Sequence, residues 1–304
     1  MAKGNGMKIA FVWQGIKEHF DSWDDGLKKA MLIIEQTHEV KYFEPNQTDD
    51  IKWFNPNVVL YWEAPCTING QDKDNYISVR DLPFKKALLF AGGPIEAGSG
   101  YGFDLFFVES RINEEECEQW GIPYKRAFGV NDSDFRPEKQ PKVFDGIHHA
   151  TCASWKRQPL LAEALKDKAV IVGRYQKNDP YPFDRSKELG ALVLPQADAH
   201  MLRSLINASH TVVNTSEFWG GGQRCTLEAM ACGVPPIVMS DSPKNREYVE
   251  ESGFGAVCDP NVQSIKEAVE KLKGTSPDKG VEYIKSKWSA QHYANALLEG
   301  IKIL

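Results

Sequence analysis

"HTVVNTSEFWGGGQRCTLEAMACGVPPIVMS", residues His210 to Ser240, is the stretch that decides the fold. "HTVVNT" is β-branched and apolar and reads as a buried strand. "SEFWGGGQRC" reads as a loop, a helix is expected from about Thr226, and "PPIVMS" is the next strand. A strand–loop–helix–strand run implies a parallel sheet, whose ligands lie at the carboxyl ends of its strands. Gly220, Gly221 and Gly222 let another backbone or a ligand approach closely, and the helix N-terminus behind them carries about half a positive charge. An anion is expected there, a phosphate or diphosphate, with Arg224 as a planar donor to its oxygens. The competing reading is a mobile surface loop with a helix cap. Glu228 bears on that choice. A carboxylate in the first helical turn is poorly placed beside a phosphate unless it accepts hydrogen bonds from neutral hydroxyls, as a ribose diol would supply.

The same alternation runs outward along the chain. "KIAFVW" (Lys8–Trp13) reads as a strand and "DDGLKKAMLIIEQT" (Asp24–Thr37) as the helix covering it, with Leu27, Met31 and Ile34 on one face. Further strands are expected at "VKYF", "VVLYW", "ALLFAGG" and "FDLFFVES". After the proline- and charge-rich segment Asp132–Lys142 the pattern restarts with "FDGIHHATCA". The expectation is an α/β protein of two facing Rossmann-like domains, residues 1–138 and 139–285, with 286–304 a C-terminal helix packing back on the first.

The 304 residues suffice for two cores. No apolar run approaches the roughly 18 residues of a membrane span, and no signal peptide is read at the N-terminus. The six cysteines are scattered without a CxxC pair, so free thiols and a cytoplasmic location are expected. Residues 1–140 hold 16 Lys and Arg against 23 Asp and Glu, and the remainder 20 against 19. That balance argues against a strong non-specific nucleic-acid binder.

"LEAMACGVPPIVMSDSPKNREYVEESGFGAVCD" (Leu227–Asp259) resembles the signature of the nucleotide-sugar glycosyltransferases of the GT-B fold, the glycosyl transferases group 1. "FGVNDSDFRP" is similar to the family's interdomain linker, and "ASWKRQPLLAEAL" to the loop and helix opening its second domain. The resemblance implies GT-B architecture and sugar transfer from a nucleotide donor to a hydroxyl acceptor, with retention at the anomeric carbon. It implies that Glu228 holds the donor ribose, that Lys156 faces the diphosphate, and that the Gly221–Cys225 amides cradle phosphate or sugar. Glu247 matches a later family glutamate. Two family features are missing. The first glutamate of the Glu-x7-Glu motif would fall at Gly220, and Glu217 replaces it only if the loop carries an insertion. Thr151 and Ala150 stand where an arginine is usual, a charge that Arg224 would restore.

The expected catalytic set is therefore Lys156, Arg224 and Glu217, and the donor-binding set Gly15, Gly220, Gly221, Gly222, Gln223, Cys225, Thr226 and Glu228. No metal and no cofactor are expected beyond a UDP- or GDP-sugar co-substrate. "DKD" (Asp72–Asp74) and "DSD" (Asp132–Asp134) read as solvated loops rather than metal sites. His148 and His149 are adjacent, so a strand points them opposite ways and leaves them without a third ligand. Acceptor-side candidates are His19, Asp21, Asp24, Glu63, Gly93 and Glu96, with helix capping the competing role for the aspartates. The acceptor stays open among a glycan, a lipid-linked sugar, a small molecule and a hydroxylated base in modified DNA. A nucleotide-sugar 2-epimerase and a non-catalytic sugar-nucleotide binding module are the alternatives.

Overall fold

The computed structural model describes residues 6–21, 25–63, 73–90, 93–96, 102–218 and 221–304, apart from the side chains of His19, Glu63, Lys73 and Asp74. The chain divides into two compact units, Met1–Gly129 with Ala290–Leu304, and Val130–Ser289.

In the first unit six parallel strands, β1 (Lys8–Val12), β2 (Glu39–Phe43), β3 (Val58–Glu63), β4 (Lys85–Phe90), β5 (Leu105–Val108) and β6 (Tyr124–Arg126), run in the order β2-β1-β3-β4-β5-β6. The central strands are continuously apolar because both faces are covered. Ile9 and Phe11 of β1, Val58 and Leu60 of β3, and Ala87 and Leu89 of β4 enter one core. Their neighbours Ala10, Val12, Val59, Tyr61, Leu88 and Phe90 enter the other. The helix after β1 spans Gly26–Ile34 and is capped by Asp25, whose carboxylate accepts the Lys28 N–H at 3.0 Å. The C-terminal helix Ala290–Ile301 buries Tyr293, Ala294, Leu297 and Ile301 in the first of these cores, beside Leu27, Met31 and Ile34.

The second unit repeats the layers. Strands β7 (Phe144–His149), β8 (Ala169–Val172), β9 (Leu192–Leu194), β10 (Ser209–Asn214), β11 (Pro236–Met239) and β12 (Ala256–Cys258) pair in parallel in the order β12-β11-β10-β7-β8-β9. The segment Asp132–Lys142 belongs to this unit. Arg203 donates to the Asp134 carbonyl at 2.9 Å, and the Asn207 amide bonds the Arg136 carbonyl and the Glu138 N–H. The chain enters at Val130 and leaves at Ser289, and these two residues are bridged.

Gly300 shows how tightly the C-terminal helix sits. A Cβ there would overlap the Phe107 ring and lie 3.1 Å from Leu105 Cδ2. Gly300→Ala is expected to destabilise the protein by about 1–3 kcal/mol, the usual cost of overpacking, as a lower midpoint in urea unfolding. An unchanged midpoint would mean that the helix can lift away from β5.

Candidate functional site: the glycine loop at the switch point

In the second sheet β7 and β10 are neighbours, but the chain leaves β7 toward β8 and leaves β10 toward β11. Their exit loops therefore diverge and open a crevice at the carboxyl ends, the place where doubly wound sheets bind ligands. β7 delivers His148 and His149 to it, and β10 delivers Asn214.

The glycine loop is held there by two asparagines. Gly221 and Gly222 have φ of 62° and 106°, values that side-chain-bearing residues adopt only under strain. The Gly222 carbonyl accepts from Asn214 Nδ2 at 2.9 Å and the Gly221 carbonyl from Asn245 Nδ2 at 3.0 Å. Asn214 Nδ2 also reaches Asn245 Oδ1 at 3.1 Å, and Asn245 Nδ2 reaches Ser242 Oγ at 2.8 Å. A Cβ on Gly222 would collide with the Asn214 side chain. The helix that follows spans Gln223–Ala231, three residues earlier than the expected start at Thr226, because Gly222 serves as its left-handed N-cap. That N-cap, a glycine, has no side chain with which to cap the first turn. Arg224 and Cys225 are thus first-turn residues, and Glu228 lies in the second turn, not the first.

The opposite wall is the turn Ser154–Lys156. Thr215 Oγ1 donates to the Lys156 carbonyl at 2.5 Å and the Glu217 N–H to the Trp155 carbonyl at 3.0 Å, lacing this turn to the exit of β10. Lys156 is 9% exposed, and its Nζ lies 3.7 Å from the position a Cβ of Gly221 would take. Arg157, at φ 51°, donates Nε to the Thr215 carbonyl and both terminal nitrogens to Asp241 at 2.7 and 2.8 Å. The hydrogen bond to Arg157 holds the Asp241 carboxyl below the usual carboxylate range. Arg157 is committed to this pair, while Arg224 is exposed. A cavity of about 520 Å³ opens beside them, lined by Glu217, Phe218, Ser240, Asp241, Pro243 and Arg246.

The two histidines are buried. Among the described residues, neither ring nitrogen of His148 has a hydrogen-bond partner. Burial, with the Lys156 and His149 charges adding to it, pushes its pKa down to about 3, so it is neutral. His149 Nε2 meets Glu228 Oε2 at 2.9 Å, and Cys225 Sγ donates to the His149 carbonyl at 2.6 Å. Burial opposes charge on His149, but Cys225 and Glu228 outweigh it and raise the pKa to about 10. The sequence reading left this histidine pair without a third ligand; in the fold Cys225 and Glu228 stand beside His149, from the helix after β10, 76 and 79 residues away.

Of the expected residues, Lys156, Glu217, Gly221, Gly222, Gln223, Arg224, Cys225, Thr226 and Glu228 all lie around this crevice, while Gly220 lies outside the described residues. Thr226 Oγ1 joins the asparagine network through Asn245 Oδ1 at 3.2 Å. The acceptor-side candidates belong to the other unit. There the Gly15 N–H, expected to face a phosphate, donates instead to Glu44 at 2.8 Å, and Lys17 N–H donates to the same carboxylate at 3.0 Å. Glu44 therefore occupies the anion position of that turn, a correction to the expected role of Gly15. Asp21 and Glu96 are exposed, and Gly93 has φ 80°. Asp24 and the side chains of His19 and Glu63 lie outside the described residues.

Two doubly wound parallel sheets, one with a glycine-capped helix at its switch point, define the GT-B class of fold. Residues 136–285, just under half of the chain, match the glycosyl transferases group 1 family. The second unit thus resembles a glycosyl transferases group 1 domain. The whole chain is similar in fold to a glycosyltransferase from Rickettsia africae, at 14% identity over 98% of each chain with a TM-score of 0.75. Sucrose-phosphate synthase from Thermosynechococcus elongatus matches at 13% identity, over 96% of this chain and 98% of that one, with a TM-score of 0.73. Anabaena HepE, solved with UDP-glucose, matches at 14% identity, over 98% and 100%, with a TM-score of 0.71. No sequence among curated proteins matches.

The His149–Glu228 pair makes a pH prediction. A pKa raised in the folded state stabilises it fully below the unfolded value, about 6.5, and the benefit is lost as pH rises through about 10. The difference in unfolding free energy between wild type and His149→Gln is expected to be largest below pH 6.5 and to shrink toward pH 10. Denaturant titrations across that range check this, and a pH-independent difference refutes a protonated His149.

Proposed function

We propose that the protein transfers a sugar from a UDP- or GDP-sugar to an acceptor hydroxyl, with retention at the anomeric carbon and without a required metal ion. The observation that carries this reading is the glycine-capped N-terminus of Gln223–Ala231, preceded by Gly221 and Gly222, with the Lys156 amine beside it. Together they form a site that attracts an anion such as a diphosphate. Anabaena HepE, similar in fold, has been solved with UDP and with UDP-glucose, which supports a nucleoside diphosphate in this position. Glu228 accepts hydrogen bonds from the ribose diol. Glu217 lines the cavity that receives the sugar and takes the place of the absent first motif glutamate.

In the reaction the bond from the anomeric carbon to the leaving phosphate oxygen breaks, the acceptor oxygen bonds to the same face, and the acceptor proton departs with the diphosphate. Lys156, Arg224 and the first-turn amides stabilise the charge that develops on the leaving group. These groups supply the cationic field that a divalent ion supplies elsewhere. The five described cysteines are free thiols, which favours a cytoplasmic location.

Two variants test the assignment. Glu228→Ala is expected to weaken UDP or GDP binding by about 1.5–3 kcal/mol, the range for a hydrogen bond to a charged group. Arg224→Ala should lower kcat by about 10² to 10³ with little change in nucleotide affinity. Calorimetry and donor-turnover assays separate the two effects, and normal values in both variants sink the reading. Turnover is also expected to survive EDTA. Loss on chelation with rescue by magnesium or manganese would show that the mechanism needs a metal. Mass-spectrometric screening of glycans, lipid-linked sugars, small molecules and modified DNA identifies the acceptor.

A further inference from the structure

Cys225 and Glu228 are three residues apart on one helix and so share a face. That face meets the end of β7, where His149 stands. The imidazole, thiol and carboxylate ligand atoms all lie within 4.8 Å of one another. His149 and Glu228 are 5% and 4% exposed, and Cys225 is half-buried, so the sulfur is the side from which an ion would enter. We propose that His149, Cys225 and Glu228 form a binding site for a soft divalent cation, with Zn²⁺ the best fit.

The geometry is close to what the ion needs. Tetrahedral zinc, with bonds of about 2.0–2.3 Å, sets its ligand atoms roughly 3.3–3.8 Å apart. The His149–Glu228 contact of 2.9 Å has to open slightly and the sulfur to move inward by about 1 Å. On binding, the His149 imidazolium and the Cys225 thiol each give a proton to solvent, and the sulfur exchanges its hydrogen bond to the His149 carbonyl for a thiolate–metal bond. A thiolate, imidazole and carboxylate set selects zinc over magnesium or manganese, which prefer all-oxygen shells. This is therefore not a site for the hard cations that commonly accompany diphosphates. Among the described residues, none bonds His149 Nδ1 to orient the ring. Missing outer-shell support lowers metal affinity by about 10- to 100-fold, so the site exchanges its ion rather than holding it as permanent structure.

The consequence is regulatory. A bound ion takes the Glu228 carboxylate, which the donor ribose also requires, so cation and nucleotide exclude one another. This exclusion rests on the reading of Glu228 as the ribose acceptor; the cation site does not.

Metal-free protein titrated with Co²⁺ as the probe is expected to take up one ion per chain and to show a thiolate-to-cobalt charge-transfer band. Cys225→Ser should abolish the band, and His149→Gln should weaken Co²⁺ binding at least tenfold. In unmutated protein, Zn²⁺ should shield Cys225 from iodoacetamide, read on its peptide by mass spectrometry. Saturating Zn²⁺ should weaken UDP binding at least tenfold, and UDP should weaken Zn²⁺ binding by the same factor. Absence of the band, its survival in Cys225→Ser, or an unshielded Cys225 overturns the cation site. UDP affinity unmoved by Zn²⁺ overturns the exclusion. Failure of UDP to bind the metal-free protein overturns the donor reading, and the cobalt band still decides the cation site.

Discussion

The hydrogen bonds from Asn214 and Asn245 to the carbonyls of Gly222 and Gly221 are the constraint on which the site depends. A glycine-rich loop is entropically costly to order. By itself it would sample many conformations, most of them useless to an anion. Capturing two successive carbonyls turns them inward and fixes the start of the helix. Both asparagines are almost fully buried, so their amides have little access to water and hold these bonds firmly. Thr226 closes the network on the helix side. The loop therefore combines glycine backbone geometry with the rigidity of a buried polar cluster, which is what a preorganised binding site requires.

The facing wall is fixed by a different device. Thr215 and Glu217 clamp the Ser154–Lys156 turn to the exit of β10, and Arg157 ties it to Asp241 just beyond β11. Three loops that diverge from β7, β10 and β11 are thereby joined. Lys156 is held near Gly221 by the backbone contacts of its turn, while Arg157, its neighbour, takes Asp241. The division of work between adjacent cations follows: the forked guanidinium serves structure, where bidentate geometry matters, and the single amine serves the crevice.

How much of this could be read in advance depends on range. The layered α/β fold was legible because the strands β1, β3, β4, β8 and β11 are unbroken apolar runs, a pattern that only strands covered on both faces produce. The loop and helix after β10 were legible because Gly220–Gly222 and the LEAMACG run sit together in sequence. The helix start was misplaced by three residues, because propensity cannot foresee that Asn214 and Asn245 hold Gly222 as an N-cap. Gly15 misled for a related reason: nothing near it announces that Glu44, in the loop after β2, already fills its turn. His149 was seen but not paired, since its partners join it only through the β7–β10 neighbour relation, which crosses over two intervening strands. Long-range pairing of polar side chains has no periodic signature, and this is where local pattern reading stops.

That pairing also answers the difficulty that Glu228 posed. An unneutralised carboxylate roughly 8 Å from one phosphate charge, at an effective dielectric of about 20, opposes it by about 2 kcal/mol. A diphosphate with two or more charges would feel correspondingly more. His149, protonated because Cys225 and Glu228 outweigh its burial, makes the pair electrically neutral while leaving the carboxylate able to accept hydrogen bonds. The placement in the second turn helps further, since it moves the charge away from the first-turn amides that an anion would use. On the other face of β7, His148 is kept neutral by burial and by the neighbouring Lys156 and His149, so it adds no competing cation beside Lys156. The net field that the crevice offers is then that of Lys156, Arg224 and the helix terminus. A carboxylate that would repel a diphosphate if it stood alone becomes, once paired, a hydrogen-bond acceptor compatible with one.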